Sequence, residues 1–427
     1  MSLLDELETR GLLASCTDRE GLSKLFTSAA PVSAYAGYDP TSPSLHVGNL
    51  VPTILLKRLQ LAGHRPIIVV GGATGMVGDP SGKSDERNLL DDETLATNVA
   101  GIHAQLARLL DFSPSPTGAL IVNNADWTRS ISYLEFLRDV GKHLTVNYMT
   151  AKDSVRARLQ SDHGISYTEF SYMLLQAFDF VHLAKVYNCR LQVGGHDQFG
   201  NITAGCELQR KRGTGAPLFG LTAPLLLDAS GQKMGKTSTG ERIWLDPART
   251  TPFAFYQYWL NVSDEDAPRL LRMFSLDPLD QLEDLLRTHE ADRSQRLAQR
   301  ALARAMTTWV HNHDVIATIE TAATDFFSGD LSKIRDDDLT AIAGTIPTID
   351  VPRAELEAGI GLVEILVRSG LEESKGKARQ QVSQGGAYVN NVAISDVHKR
   401  LGLADLLTGN HLVLRKGKKT YRLVRVV

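Results

Sequence analysis

Short apolar runs bounded by glycine and turn residues recur through the first 230 residues, among them PVSAYAGYDP, HRPIIVVGGATG, ALIVNNADW and NCRLQVGGHD. Stretches with helical periodicity separate these runs. In DDETLATNVAGIHAQLARLLDF, Asp92 can cap a helix whose apolar side chains recur at helical spacing. Those side chains are Leu95, Val99, Ile102, Leu106 and Leu109. Strands that alternate with helices predict an α/β fold with a doubly wound parallel sheet, whose ligands bind at the carboxyl ends of the strands.

The pattern changes beyond residue 240. It becomes helical over 252–327, passes through a segment with Pro347 and Pro352, and ends in two short helices and an alternating hairpin that turns at 417–419. We therefore predict a Rossmann-type nucleotide fold, a helical domain and a small α+β domain. The predicted boundaries are 1–240 for the first, 241–330 for the second, 331–360 for a linker and 361–427 for the last.

Composition limits the class of protein. The 427 residues are 43% hydrophobic, which is enough for a large core and several domains. No apolar run approaches the roughly 20 residues that cross a bilayer, and the first residues carry no signal-peptide pattern. The three cysteines have no C-x-x-C spacing. We expect a soluble protein of the cytoplasm.

The net charge of −3 conceals an asymmetry between the two ends of the chain. Residues 361–427 carry twelve Lys/Arg against five Asp/Glu, whereas the remainder carries 34 against 44. A basic tail on an acidic body suggests a module that binds a polyanion. A solvated surface with no partner is the alternative, and charge alone leaves both open.

The stretch GGATGMVGDPSGKSDER follows an apolar strand and looks like a phosphate-binding P-loop. Its spacing excludes that interpretation, because Gly78 and Gly82 are separated by three residues where a P-loop has four. Phosphate can still be bound here by side chains, since Lys83 and Arg87 follow.

Two further stretches suit nucleotide chemistry. In AGYDPTSPSLHVGNL a strand ends near Gly37 and a helix begins near Leu45, so backbone N–H groups and His46 can meet a phosphate. In GQKMGKT two lysines lie three residues apart on a loop, which suits a mobile phosphate clamp. Each signal is weak when it is taken alone.

Together the two stretches resemble the signatures of class I aminoacyl-tRNA synthetases, with HVGN at 46–49 for the HIGH motif and KMGKT at 233–237 for KMSKS. Further motifs resemble bacterial-type tyrosyl-tRNA synthetases: YAGYDPTSPSLHVGN, GGATGMVGDPSGKSDER, VNYMTAKDSV, SYTEFSYMLLQAFDF and LQVGGHDQFGN. With the basic tail, the resemblance covers essentially the whole chain.

The resemblance implies a two-step reaction that rests on positioning and electrostatic stabilisation. Tyrosine attacks the α-phosphate of ATP, and the resulting tyrosyl-adenylate passes tyrosine to the 3′ end of tRNA(Tyr). It implies ATP as a substrate in its magnesium form, no protein-bound metal, and a homodimer. The segment SYLEFLRDVGKHLTVNYM would form the subunit interface, because its apolar residues exceed what one face of a monomer needs: Leu134, Phe136, Leu137, Val140, Leu144 and Val146.

The resemblance also implies which residues act on ATP. Those that would meet its phosphates in catalysis are His46, Asn49, Lys83, Arg87, Lys233, Lys236 and Thr237. Those that would bind ATP are Gly37, Asp39, Thr41, His46, Gly48, Gly195, Asp197 and Lys236, with Asp197 accepting from the ribose hydroxyls.

For tyrosine, the resemblance implies that Tyr35 and Asp179 bracket the phenol and that Asp79 faces the ammonium group with Tyr172 and Gln176. Gln198 would lie near the carboxylate. Tyr172, Gln176 and Asp179 follow one another at spacings of four and three, so they share a helical face. A site built this way should reject phenylalanine strongly, because polar groups that the phenol satisfies would stay unpaired.

The C-terminal segment resembles a small RNA-binding module shared with a ribosomal protein. Its basic residues would bind tRNA phosphates with little sequence reading: Lys375, Lys377, Arg379, Lys416, Lys418 and Lys419.

Two rival interpretations follow from the same motifs. A tryptophanyl-tRNA synthetase shares the fold and both signatures but is disfavoured by the pair Tyr35 and Asp179 and by the basic tail. A non-enzymatic RNA-binding protein would be expected to have lost His46, Asp79, Lys233 or Lys236, and all four are present.

Overall fold

This computed structural model describes residues 1–28, 30–81, 91–161, 164–213, 215–236, 240–328, 331, 334, 336, 339, 346–417 and 420–427. The chain divides into two compact units. The first comprises Met1–Asp246 and Val262–Leu302, and the second comprises Pro247–Asn261 and Ala303–Val427.

The first unit is built on a six-stranded sheet in the order β1-β6-β5-β2-β3-β4. Its strands are β1 (Ser15–Cys16), β2 (Ser33–Tyr38), β3 (Arg65–Val70), β4 (Leu120–Asn123), β5 (Cys189–Gly195) and β6 (Phe219–Ala223). The strands β2 to β6 are parallel to one another, whereas the edge strand β1 pairs with β6 in the antiparallel sense. Because sequential strands alternate with helices, the predicted doubly wound parallel sheet is confirmed.

Helices surround this sheet, and the longest of them carries three of the six residues that are predicted to bind tyrosine. They are α1 (Leu3–Thr9), α2 (Arg19–Phe26), α3 (Leu50–Leu61), α4 (Asp92–Leu109), α5 (Ala125–Thr128), α6 (Tyr133–Asp139), α7 (Val146–Thr150), α8 (Asp153–Leu159), α9 (Tyr167–Tyr187) and α10 (Phe199–Arg212). α9 begins at a capping side chain, Ser166, and ends at Asn188 in the left-handed conformation. It packs on α10, where Phe180 lies against Gly205 so closely that a Cβ there would collide with the ring.

The start of α4 differs by one residue from the prediction. Asp91, and not Asp92, is the cap, because its carboxylate accepts the Thr94 N–H at 2.7 Å while Asp92 is already helical. Either aspartate suits the role by chemistry, so only the backbone conformation decides between them.

The helical region consists of α11 (Pro252–Leu260), α12 (Asp266–Phe274), α13 (Leu279–Ala291), α14 (Leu297–His311) and α15 (Asp314–Ser328). The prediction of one helical domain over 241–330 is wrong, because α12 and α13 belong to the first compact unit. Two buried arginines explain this. Arg10 donates to the carbonyls of Arg272, Ser275 and Asp277, and Arg58 donates to that of Ser275, so the end of α12 is fixed to α1 and α3.

The C-terminal module is a five-stranded sheet in the order β10-β9-β12-β13-β7 with a separate two-stranded pair, β8 and β11. Its strands are β7 (Thr348–Val351), β8 (Ile360–Gly361), β9 (Ala387–Val389), β10 (Val392–Ile394), β11 (Arg400–Leu401), β12 (His411–Lys416) and β13 (Thr420–Val426). Its helices are α16 (Arg353–Glu357), α17 (Leu362–Arg368) and α18 (Lys375–Ser383). The predicted hairpin of β12 and β13 is confirmed by their antiparallel pairing.

The predicted linker over 331–360 is wrong for its second half. β7 pairs in parallel with β13, and Val351 and Leu356 are buried in the core of the module. Pro347 and Pro352 flank this short strand, a position that proline tolerates, so they mark its ends and do not exclude it. The module therefore begins near residue 348, and not at 361. Every helix in the described part of the chain is too short or too polar to span a lipid bilayer.

Candidate active site

A cavity of about 420 Å³ opens at the carboxyl ends of β2, β3 and β5 in the first compact unit. Among the residues that line it are fifteen that the sequence predicted: Tyr35, Gly37, Asp39, Thr41, His46, Gly48, Asn49, Asp79, Tyr172, Gln176, Asp179, Gly195, Asp197, Gln198 and Lys233. Lys236 follows on the same loop but is not among the lining residues. Lys83, Arg87 and Thr237 lie outside the described residues, so their predicted roles stay predictions.

One end of the cavity presents a buried hydroxyl. Tyr35 lies in β2, is 1% exposed, and has its ring edge-on to Phe180. Its hydroxyl has no hydrogen-bond partner among the described residues. Burial raises the pKa of Tyr35 well above its usual value, and the nearby Asp179 raises it further, so the hydroxyl keeps its proton as a donor. A buried donor without a partner costs stability unless a ligand accepts from it.

Asp179 presents the complementary acceptor. Its carboxylate accepts from Trp127 Nε1 at 2.7 Å and from Asn124 Nδ2 at 2.9 Å. Burial raises its pKa to about 7, although these two donors act in the opposite direction. A phenol between Tyr35 and Asp179 could therefore accept from one and donate to the other.

A second carboxylate lies further along the cavity. Asp79 is 7% exposed and accepts from Gln198 Nε2 at 2.6 Å and from the Ser81 N–H at 2.9 Å. Tyr172, which we expected beside Asp79, donates its hydroxyl to Asp39 at 3.0 Å. A buried carboxyl group that is surrounded by neutral donors is a suitable partner for an ammonium group.

His46 occupies the turn before α3. It caps a short 3₁₀ helix, Val47–Asn49, and its Nδ1 accepts the Gly48 N–H at 3.1 Å. Burial and the charge of Arg242 lower its pKa to about 4, so the ring is neutral and its proton lies on Nε2. A Cβ on Gly48 would approach the ring to 2.9 Å, which explains the glycine. His46 therefore offers one N–H donor.

Asn49 supports the same turn. Its Oδ1 accepts the His46 backbone N–H at 3.0 Å, so the amide NH₂ keeps its capacity to donate toward the cavity. Asn49 thus retains a hydrogen-bond donor where the family motif has a second histidine.

A short extended segment joins the two signature motifs. The Val47 N–H donates to the Ile243 carbonyl at 3.1 Å, and the Leu245 N–H donates to the Leu45 carbonyl at 2.8 Å. On its other side, the Ile243 N–H donates to the Gly235 carbonyl at 2.9 Å. Residues 242–245 thereby fix the KMGKT loop beside the HVGN turn.

Charged groups of both signs line the cavity. The lining includes the buried carboxylates Asp79 and Asp179, and it also includes the exposed cations Lys233 and Arg242. Burial raises the pKa of Asp197, and Asp79 raises it further, whereas Lys233 lowers it. A zwitterionic amino acid and a polyphosphate match these two sets of charges respectively.

Sequence reasoning missed several lining residues: Thr74, Asn124, Gln192 and Arg242, together with Trp127, which donates to Asp179. A signal existed for Asn124, because it directly follows β4 in ALIVNNADW, where a polar residue ends a strand of the sheet. For Arg242 there was no local signal. Within the described residues, His, Cys, Asp and Glu side chains form no group of three that could hold a metal ion.

The predicted tRNA-binding lysines are not equivalent. Lys377 pairs with Glu373, and Lys416 Nζ lies 3.0 Å from Glu372 Oε1. Lys375 and Arg379 are exposed on α18 and have no ion-pair partner among the residues that the structure describes. Lys418 and Lys419 lie outside the described residues.

Two family models match the chain. The model for tRNA synthetases class I (W and Y) matches residues 27–328, and the model for the tyrosine–tRNA ligase SYY-like C-terminal domain matches residues 343–424. The fold and the cavity therefore define a class I synthetase.

Comparison with individual relatives identifies the family within this class of synthetases. The tyrosine–tRNA ligase of Opitutus terrae is 50% identical over 428 residues and 100% of both chains, and that of Rhodopirellula baltica is 49% identical over 100% of this chain and 96% of the relative. A C-terminally truncated mitochondrial tyrosyl-tRNA synthetase of Coccidioides posadasii has a TM-score of 0.66 at 33% identity, over 76% of this chain and 92% of that one. The chain belongs to the tyrosine–tRNA ligase family, as the motifs predicted.

The pKa of Asp179 predicts a pH dependence. Below pH 7 its carboxyl group is protonated and loses an acceptor site, so kcat/KM for tyrosine should fall as the pH drops through about 7. The measurement is tyrosine-dependent ATP–pyrophosphate exchange between pH 5.5 and 8.5. Asp179→Asn should remove this acid limb, and an unchanged limb in that variant would assign the titration to another group.

Proposed function

We propose that this chain activates L-tyrosine with ATP, bound as its magnesium complex, and transfers the tyrosine to the 3′ end of tRNA(Tyr) in the cytoplasm. As a member of the tyrosine–tRNA ligases, the chain is an enzyme that joins tyrosine to tRNA. The observation that carries the assignment of its residues is the unpaired hydroxyl of Tyr35 beside the carboxylate of Asp179.

This pair favours a phenol over an indole. A phenol can accept from Tyr35 and donate to Asp179, so that both buried groups are satisfied. An indole has an N–H donor and no acceptor, which would leave the Tyr35 hydroxyl unpaired. Structures of tryptophanyl-tRNA synthetases share the fold with this chain at 17% identity or less, and that likeness concerns the fold alone.

In the first step an oxygen of the tyrosine carboxylate attacks the α-phosphorus of ATP. A bond forms between that oxygen and the α-phosphorus, and the bond from the α-phosphorus to the leaving pyrophosphate breaks. Asp79 with Gln198 holds the ammonium end, which orients the carboxylate. The Nε2–H of His46 and the ammonium of Lys233 face the phosphates and stabilise the negative charge that pyrophosphate gains. Asp197 accepts from the ribose hydroxyls.

The C-terminal module would supply affinity for tRNA. It carries more Lys and Arg than Asp and Glu, whereas the remaining chain carries more Asp and Glu than Lys and Arg. Lys375 and Arg379 lie on one exposed helix, and neither is neutralised by a carboxylate among the described residues. They are the cations that are available for RNA phosphates.

A homodimer is the assembly that the interface segment supports. Leu134 is 77% exposed and Val146 62% exposed, whereas Phe136, Val140 and Leu144 of the same segment pack inside the protomer. Tyr133 of the same segment is exposed as well, and several large apolar side chains exposed within one segment favour an interaction site. A second copy of the same surface would cover them.

Pyrophosphate exchange tests the substrate. Tyrosine should support exchange and tryptophan should not, and Tyr35→Phe should lower the ratio of kcat/KM for tyrosine over phenylalanine by roughly tenfold, since one hydrogen bond to the phenol is lost. Tyr38→Phe is the matched control, because Tyr38 lies in the same strand but bonds to Thr53. An unchanged ratio in Tyr35→Phe would contradict the phenol assignment.

Charge reversal tests the module. Lys375→Glu/Arg379→Glu should weaken tRNA binding and lower the slope of log Kd against log salt by about 1.4–1.8, because each of the two phosphate contacts contributes about 0.7–0.9. Pyrophosphate exchange should stay unchanged. Asp350→Asn/Arg425→Gln removes an ion pair of the same module without altering its net charge and is the control. Equal tRNA affinity in both variants would contradict this role.

Sedimentation tests the assembly. The chain should sediment as a dimer at micromolar concentration, and Leu134→Asp/Val146→Asp should shift it toward monomer, because charge on an apolar interface is costly. Leu61→Asp alters another exposed leucine and should leave the dimer intact. A monomeric parent protein at that concentration would rule the dimer out.

A further inference from the structure

Arg242 lies at the edge of the active-site cavity on the segment that joins the two signature motifs. Its neighbour Ile243 is hydrogen-bonded to Val47 on one side and to Gly235 on the other. Arg242 itself forms an antiparallel bridge with Lys236 of the KMGKT loop. The backbone of Arg242 is therefore fixed relative to both motifs by a ladder of main-chain hydrogen bonds.

The side chain of Arg242 is placed by an aromatic contact. Its guanidinium lies 5.7 Å from the centre of the Trp244 ring, whose edge faces the ring of His46 at 6.3 Å. Such a contact between a cation and an aromatic face holds the guanidinium without neutralising its charge. Arg242 lines the same cavity as His46 and Lys233, and its field lowers the pKa of His46.

No carboxylate neutralises Arg242 among the residues that the structure describes. Many surface arginines of this chain are paired, as Arg210 is with Glu207 and Arg304 with Glu320. A guanidinium without a carboxylate partner, in a cavity that Lys233 and the neutral His46 also line, contributes positive potential to that cavity. The chemistry that suits it is a polyphosphate, since the planar guanidinium can donate two parallel hydrogen bonds to phosphate oxygens.

We propose that Arg242 binds the terminal phosphates of ATP and the pyrophosphate product, as a cation additional to those of the two signature motifs. The proposal rests on the proposed tyrosine activation, and it adds a residue that neither motif contains. The alternative is an exposed arginine that only packs on Trp244 and binds no ligand.

Three ligands separate these roles: ATP, inorganic pyrophosphate and AMP. Arg242→Gln should weaken the binding of ATP and of pyrophosphate by roughly 5- to 20-fold, the scale for a partly exposed charge-assisted hydrogen bond. AMP binding and the Kd for tyrosine should stay within twofold, because neither ligand carries the terminal phosphates. Arg242→Lys keeps the charge but loses the second donor, so it should recover part of the affinity.

Arg108→Gln removes one exposed arginine charge from α4, outside the cavity lining, and is the matched control for net charge. If Arg242 only packs on Trp244, Arg242→Gln should weaken the binding of ATP and of AMP equally or leave both affinities unchanged. Either result would overturn the proposal. If the parent protein shows tyrosine-dependent exchange but Arg242→Gln binds pyrophosphate with unaltered affinity, only the role of Arg242 is rejected. A parent protein without exchange would reject the proposed function itself.

Discussion

The burial of a carboxylate beside an unpaired hydroxyl is the constraint on which the active site depends. Asp179 is 3% exposed, and an ionised carboxylate in such a place is costly unless donors surround it. Asn124 and Trp127 supply two of them from the segment that follows β4, and the ligand would engage the same carboxylate. The position of α9 relative to the segment that follows β4 therefore depends on the hydrogen bonds of one side chain as well as on apolar packing.

A second constraint acts on the proposed ATP-binding part of the cavity, where backbone hydrogen bonds position the two signature motifs. Residues 242–245 bond to the HVGN turn and to the KMGKT loop, two segments that are nearly 190 residues apart in sequence. This connection holds the two motifs next to each other, which is what the proposed binding of one polyphosphate by both of them requires. Because these hydrogen bonds use main-chain groups, they constrain the position of residues 242–245 more than the type of residue at each position. The side chain of residue 242 is therefore available to contact a ligand.

The sequence predicted the sheet, α9 and about half of the residues that line the cavity, because these depend on local periodicity and on motifs. Tyr172, Gln176 and Asp179 follow helical spacing, so their shared face could be read directly. Arg242 and the bond of Tyr172 to Asp39 could not be predicted, since they depend on contacts between distant segments. The predicted linker is wrong because prolines such as Pro347 and Pro352 usually mark breaks in regular structure, whereas here they flank a strand whose partner, β13, lies some 70 residues further on. The predicted helical domain is wrong because the buried arginines that fix α12, Arg10 and Arg58, lie far from it in sequence.

The central claim is that a preformed site in this chain recognises the phenol through two buried polar groups. Calorimetric titration of the full-length protein with tyrosine and with phenylalanine, in the absence of ATP, tests it most directly. We expect that tyrosine binds and that phenylalanine binds at least ~100-fold more weakly, because phenylalanine leaves the Tyr35 hydroxyl without a partner and offers no donor to Asp179. Comparable affinities for the two amino acids would contradict the account.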